Sequence, residues 1–156
     1  MDGVLDGASV PELLSQLDQN QPKFECLYRG ELAPDLAAAA PYLIQLEPDG
    51  EFTDWVLSKG WGKHWGVLAA SEADLQALRQ HFRRFLTVYD ESGKPLLFRY
   101  YDPRVLRVYL PSCAPAEVTA FFGLVKSYVM EGEQSDEILR FESDPAGALK
   151  LNSNQS

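Results

Sequence analysis

At 156 residues the chain has the length of one domain, and its 46% hydrophobic, 12% aromatic and 24% charged residues supply an apolar core and exclude disorder throughout. Its 14 basic and 23 acidic residues leave a net charge of -9, a balance that disfavours sequence-independent attraction to nucleic acid or anionic lipid. The charge is uneven: residues 1–58 hold 11 acids and 2 bases, residues 59–130 hold 6 acids and 10 bases, and residues 131–156 hold 6 acids and 2 bases. A basic middle inside an acidic protein serves either to steer a partner or to pair with its own flanks.

Residues 10–17 read as a short helix, with Ser9 as N-cap, Pro11 in the first turn and Leu13, Leu14 and Leu17 at helical spacing. Strand-forming residues at 24–29 run up to Gly30. The alanine-rich stretch 34–40 gives one or two helical turns, stopped before Pro41, and 42–46 follows as an apolar strand. After the turn Pro48-Asp49-Gly50, Phe52, Trp55 and Val56 mark one face of a helix that ends at Gly60, and 65–70 is a third strand. The clearest helix spans 72–85, where Ser71 and Asp74 resemble a capping pair and Leu75, Leu78, Phe82 and Phe85 form one stripe.

Segments 86–90 and 95–101 flank Glu91-Ser-Gly-Lys as a β-hairpin with a four-residue connection. Asp102-Pro103 then starts a helix over 105–110, with Asp102 as a structural cap and Pro111 as its stop. A further helix at 115–122 turns Val118, Phe121 and Phe122 to the core and closes at Gly123; 125–130 and 138–141 are weaker strand candidates. The expectation is a single α/β domain of mixed α+β type over residues 1–142, followed by a flexible tail at 143–156. Its central mixed sheet contains the antiparallel hairpin, is built from 24–29, 42–46, 65–70, 86–90 and 95–101, and is flanked by short helices.

Cys26 and Cys113 stand far apart without Cys-x-x-Cys spacing, so no zinc knuckle or disulfide framework is expected. The acidic start Met1-Asp-Gly-Val-Leu-Asp-Gly is no secretory signal, and no later stretch is apolar for long enough to cross a membrane. Two histidines are few for nucleophilic catalysis or metal binding, and no Gly-x-Ser-x-Gly or phosphate-binding loop is present. No cofactor and no metal are expected. His81 reads as a structural residue at the surface or boundary of its helix. Gly60-Trp-Gly-Lys-His-Trp-Gly packs Trp61, His64 and Trp65 into one loop, which is either a binding platform or a tight connection plugged by tryptophans. Arg99, Arg104 and Arg107 surround Tyr100-Tyr101-Asp102-Pro103, a mixture that grips carboxylates or forms a protein-binding hot spot, unless Asp102 satisfies the arginines internally.

Several long motifs occur in fixed order: residues 60–67, His81-Phe-Arg-Arg-Phe-Leu, Lys94-Pro-Leu-Leu-Phe-Arg-Tyr-Tyr-Asp-Pro-Arg-Val-Leu, Leu110-Pro and Phe121-Phe-Gly, preceded by Tyr28 and Ala40-Pro-Tyr-Leu-Ile-Gln-Leu. Over residues 24–130 they resemble the family called domain of unknown function 4123. The resemblance implies a cytoplasmic bacterial adaptor or chaperone of type VI secretion, which binds a toxic effector and helps load it onto the VgrG spike. It implies a carrier and not an enzyme, with neither nucleic acid nor membrane as partner. Many members continue into a helical carboxy-terminal lobe, to which nothing in these residues corresponds. Such a carrier is expected to hold its effector through an apolar aromatic centre and a charged rim, with Trp61, Trp65, Tyr100 and Tyr101 as candidate anchors and Arg99, Arg104 and Arg107 around them. The competing expectation is a small-ligand-binding or hydrolytic domain that uses the Trp61, His64 and Trp65 loop.

Overall fold

Successive side chains of a strand point to opposite faces, and here both faces are apolar. Val4, Leu43, Val67 and Ala69 belong to one core cluster, whereas Leu5, Tyr42 and Ile44 belong to another. A sheet patterned in this way has to be covered on both sides. The computed structural model describes residues 1–134 and 136–155. Its elements are β1 (Asp2–Asp6), α1 (Leu13–Asn20), β2 (Phe24–Cys26), α2 (Pro34–Ala39), β3 (Pro41–Gln45), α3 (Glu51–Gly60), β4 (Gly66–Ser71), α4 (Leu75–Arg84), β5 (Thr87–Tyr89), β6 (Pro95–Leu97), α5 (Pro103–Ser112), α6 (Pro115–Phe122), β7 (Val125–Glu131), β8 (Glu137–Ser143) and β9 (Leu149–Gln155).

Seven strands form the central sheet in the order β2-β3-β1-β4-β7-β8-β9, and β5 pairs with β6 apart from it. The mixed α+β class, the antiparallel hairpin and the flanking short helices are as the sequence implies. Every pairing among the described residues is antiparallel, well beyond the one pair that the hairpin requires. In the middle of the sheet Val4 stands opposite Leu43 on one side and Val67 on the other. Leu13 and Leu17 of α1 and Phe52 and Val56 of α3 fill the cluster under one face; Leu78 and Phe82 of α4, Leu106 and Leu110 of α5, and Val118, Phe121 and Phe122 of α6 fill that under the other.

Aromatic rings dominate the larger cluster. Phe121 meets Tyr100, Tyr128 and Phe85 with ring centres 5.6, 5.1 and 5.1 Å apart. The buried hydroxyls are satisfied: Tyr100 donates to the carbonyl of Phe82 at 2.9 Å and Tyr128 to that of Phe121 at 3.1 Å. Burial holds both phenols far above their ordinary range.

Five expectations are corrected. The hairpin forms, but it does not join the central sheet, in which β4 is flanked by β1 and β7 and the hairpin strands pair only with each other among the described residues. Residues 149–155, expected in a flexible tail, form β9 along β8, from Glu137 opposite Gln155 to Ser143 opposite Leu149. The first helix begins at Leu13 and not at residue 10, since the Ser9 hydroxyl is turned to Asp6 Oδ2 at 2.9 Å instead of capping. Pro111 lies inside the last turn of α5, where its missing N–H removes a single helical bond. Asp74 alone caps α4, accepting from the Ala77 amide at 2.8 Å, while Ser71 Oγ donates to the Leu124 carbonyl.

Candidate functional site

The loop between α3 and β4 is built on two close approaches. A Cβ at Gly60 would lie 2.4 Å from the Trp65 ring, and one at Gly66 would lie 2.2 Å from the Val4 carbonyl oxygen, so only glycine allows the helix and strand to meet here. Trp65 is thereby pressed into the core, with its ring centre 4.8 Å from that of Trp55. His64 then adopts a left-handed backbone, with φ of 62°, a conformation that a non-glycine residue holds only when its surroundings impose it.

Glu131, at the end of β7, imposes it. Its side chain is 4% exposed, and its carboxylate accepts from the Gly62 amide at 2.6 Å and the His64 amide at 3.0 Å. The His64 ring brings Nδ1 within 2.6 Å of the same carboxylate, a close contact outside hydrogen-bond alignment. Arg107 reaches the Glu131 carbonyl at 3.4 Å. Nothing in Met130-Glu-Gly-Glu distinguishes this acid from a solvated turn residue, and its partners lie 67 and 69 residues away. Beside it, a hollow of about 20 Å³ is lined by Trp61, Trp65, Gly66 and Glu131, enough for one water and too small for an organic substrate.

Asp6 and Asp102 are buried carboxylates as well. Asp6 accepts from the Ala8 amide at 3.0 Å and from Ser9 Oγ, and it pairs with Arg99. Asp102 caps α5 by accepting from the Arg104 amide at 2.9 Å and binds the Arg104 guanidinium through both oxygens, at 3.1 and 2.9 Å. Burial alone would raise the Asp102 carboxyl, but the side-chain and backbone hydrogen bonds of Arg104 and its charge outweigh burial and hold it below the usual carboxylate value of 3.8. Its contribution is therefore complete above that value and fades as pH falls below it. Because Arg104 is largely exposed, the cap carries most of the effect. Asp102→Ala is expected to cost about 1 kcal/mol in a urea titration, and an unchanged midpoint would show the cap to be dispensable.

The sequence-predicted residues thus separate. Trp65, Tyr100 and Tyr101 are buried in the core, so they are not surface anchors. Trp61 is half-buried, and Arg99 and Arg104 are exposed but paired with buried acids. Two cations of the basic middle pair with the acidic amino-terminal flank, Arg99 with Asp6 and Arg79 with Glu25, while Arg104 and Lys126 pair within the middle itself, with Asp102 and Glu72. Among the described residues, no cluster of three or more His, Cys, Asp or Glu side chains is arranged for a metal ion.

His81, expected at the surface or boundary, is 5% exposed. Its amphipathic helix turns it inward to the Phe121 carbonyl, 2.8 Å from Nε2. A carbonyl only accepts, so Nε2 carries a proton and donates it to Phe121. Burial lowers its pKa below 6.5, aided by the Arg84 charge and opposed by the Phe121 bond. The folded protein resists a proton that the unfolded chain accepts. Stability from this site is accordingly complete above pH 6.5 and declines as pH falls toward the depressed folded value. Between pH 7 and about pH 5 the wild type is expected to lose stability more steeply than His81→Gln; parallel curves in chemical denaturation would refute this.

The sequence profile of the family described as "Domain of unknown function (DUF4123)" matches residues 4–120, which span β1 through most of α6. The chain belongs to the DUF4123 family. No curated protein and no solved structure matches it. The DUF4123 match begins inside β1, earlier than residue 24, and ends at residue 120, short of residue 130. It includes the loop at 60–66, Asp6 and Asp102, and it stops short of Glu131.

Proposed function

We propose that the chain is a non-catalytic adaptor of bacterial type VI secretion, which binds a toxic effector in the cytoplasm and helps to load it onto the VgrG spike. Membership of the DUF4123 family over residues 4–120 carries this reading. The loop geometry supports it. The Glu131 carboxylate is occupied by two backbone amides and the His64 ring, and the adjoining hollow holds no more than a water. A His–Glu pair engaged in this way organises a loop, whereas a general base has to face its substrate. The experiment is co-expression of the full chain with the toxin and the VgrG protein encoded nearest to it. A stoichiometric complex with the toxin, and toxin delivery that fails when the chain is deleted, is the expected result. A toxin that is soluble, unbound and delivered normally without the chain would overturn the proposal.

A further inference from the structure

Two neighbouring elements contribute no buried side chain to the fold. Helix α2 buries none of its residues, and all six residues of β5 and β6 are exposed. Their apolar side chains are nonetheless large: Leu36 is 47% exposed, Leu97 51% and Tyr89 69%. Between them lies a groove of about 370 Å³, lined by Leu27, Leu32, Leu36, Leu86 and Leu97 together with Tyr28, Thr87, Arg29 and Arg83. An exposed apolar surface with a polar rim is the usual mark of an interaction site.

Charge specifies the occupant. The groove lining contains two arginines and no acid, in a protein whose net charge is -9. Arg83 is held in place by the carbonyls of Cys26 and Leu27 at 2.9 and 3.1 Å. Arg29 is exposed, and no acid pairs with it among the described residues. Like charges gathered in this way favour a carboxylate.

We propose that this groove docks an extended segment of the partner protein, one that alternates apolar and acidic side chains. The inference rests on the adaptor reading and deepens it by naming the surface and the chemistry of the segment. Apolar side chains of the segment would lie against Leu36, Leu86 and Leu97, and its carboxylates would meet Arg29 and Arg83.

The probe is a short fluorescein-labelled peptide of alternating leucine and glutamate, titrated with the full chain by fluorescence anisotropy beside leucine–lysine and serine–glutamate peptides. Saturable binding of the leucine–glutamate peptide alone is expected. Leu97→Ser and Arg29→Glu should each weaken it by about tenfold, and Arg29→Glu should shift preference toward the lysine peptide. Both positions are exposed, and thermal melts of the variants verify that the fold is kept. No binding, or binding indifferent to both substitutions, overturns the proposal. So does a concentration-dependent dimer dispersed by Leu97→Ser, which assigns the groove to a second copy, or stronger binding to phosphatidylglycerol vesicles than to the peptide. The two readings fail separately: a toxin that binds wild type and Leu97→Ser equally removes the groove and leaves the adaptor, while a toxin that never binds removes the adaptor.

Discussion

Glu131→Ala is expected to lower stability by about 3 kcal/mol, more than any other polar substitution considered, because it leaves the Gly62 and His64 amides inside the fold without their acceptor. The loss exceeds that of an ordinary hydrogen bond because one carboxylate serves two donors and also faces the His64 ring. It further releases the left-handed backbone at His64, so the loop is expected to reopen around Trp61. For a chain of this length the melting temperature should fall by roughly 10 °C. Glu131→Gln keeps one carbonyl acceptor and should recover part of that loss. Differential scanning calorimetry of the two variants, with tryptophan emission as a local reporter, is the measurement. A Glu131→Ala melt within about 2 °C of wild type would mean that the loop is held by its tryptophans and glycines instead.

Phe121→Ala is expected to be the most damaging change in the core, at about 3–5 kcal/mol. The ring is fully buried and touches Phe85, Tyr100, Tyr109 and Tyr128. The neighbours are themselves held by hydroxyl bonds from Tyr100 to Phe82 and from Tyr128 to the Phe121 carbonyl, so they are poorly placed to collapse into the space. Phe121→Leu retains most of the volume and should cost about 1–1.5 kcal/mol. Urea titrations separate the two, and equal midpoints for both variants would show that the site relaxes freely.

What the sequence disclosed was local. Helices with a strong apolar stripe and punctuation by proline or glycine, such as α4 and α6, were legible because the pattern and the stop signal lie within one window. The hairpin was legible for the same reason, whereas its separation from the main sheet was not, since that depends on which strands flank β4. Two strands left no readable signal. β1 is a short Asp-Gly-Val-Leu-Asp run, and β9 is rich in Asn and Ser, yet each is defined by its partners and not by its own residues. The site divides likewise: the glycines and tryptophans of residues 60–66 announce a special loop, but the acid that shapes it comes from a distant strand. Burial of Trp65, Tyr100 and Tyr101 was hidden because an aromatic residue reads alike in a core and at an interface.

The place of β1 bears on how the chain acquires this structure during synthesis. Both strands that flank β1 lie later in the chain, at Pro41–Gln45 and Gly66–Ser71. On the ribosome, β1 is therefore complete while neither neighbour exists, and Val4 lacks its second cross-strand partner, Val67, until β4 has emerged. Non-local closure of this kind is slow and leaves apolar edges open to wrong pairing. The amino-terminal strand therefore reaches its place in the sheet only after both of the strands that enclose it have been made.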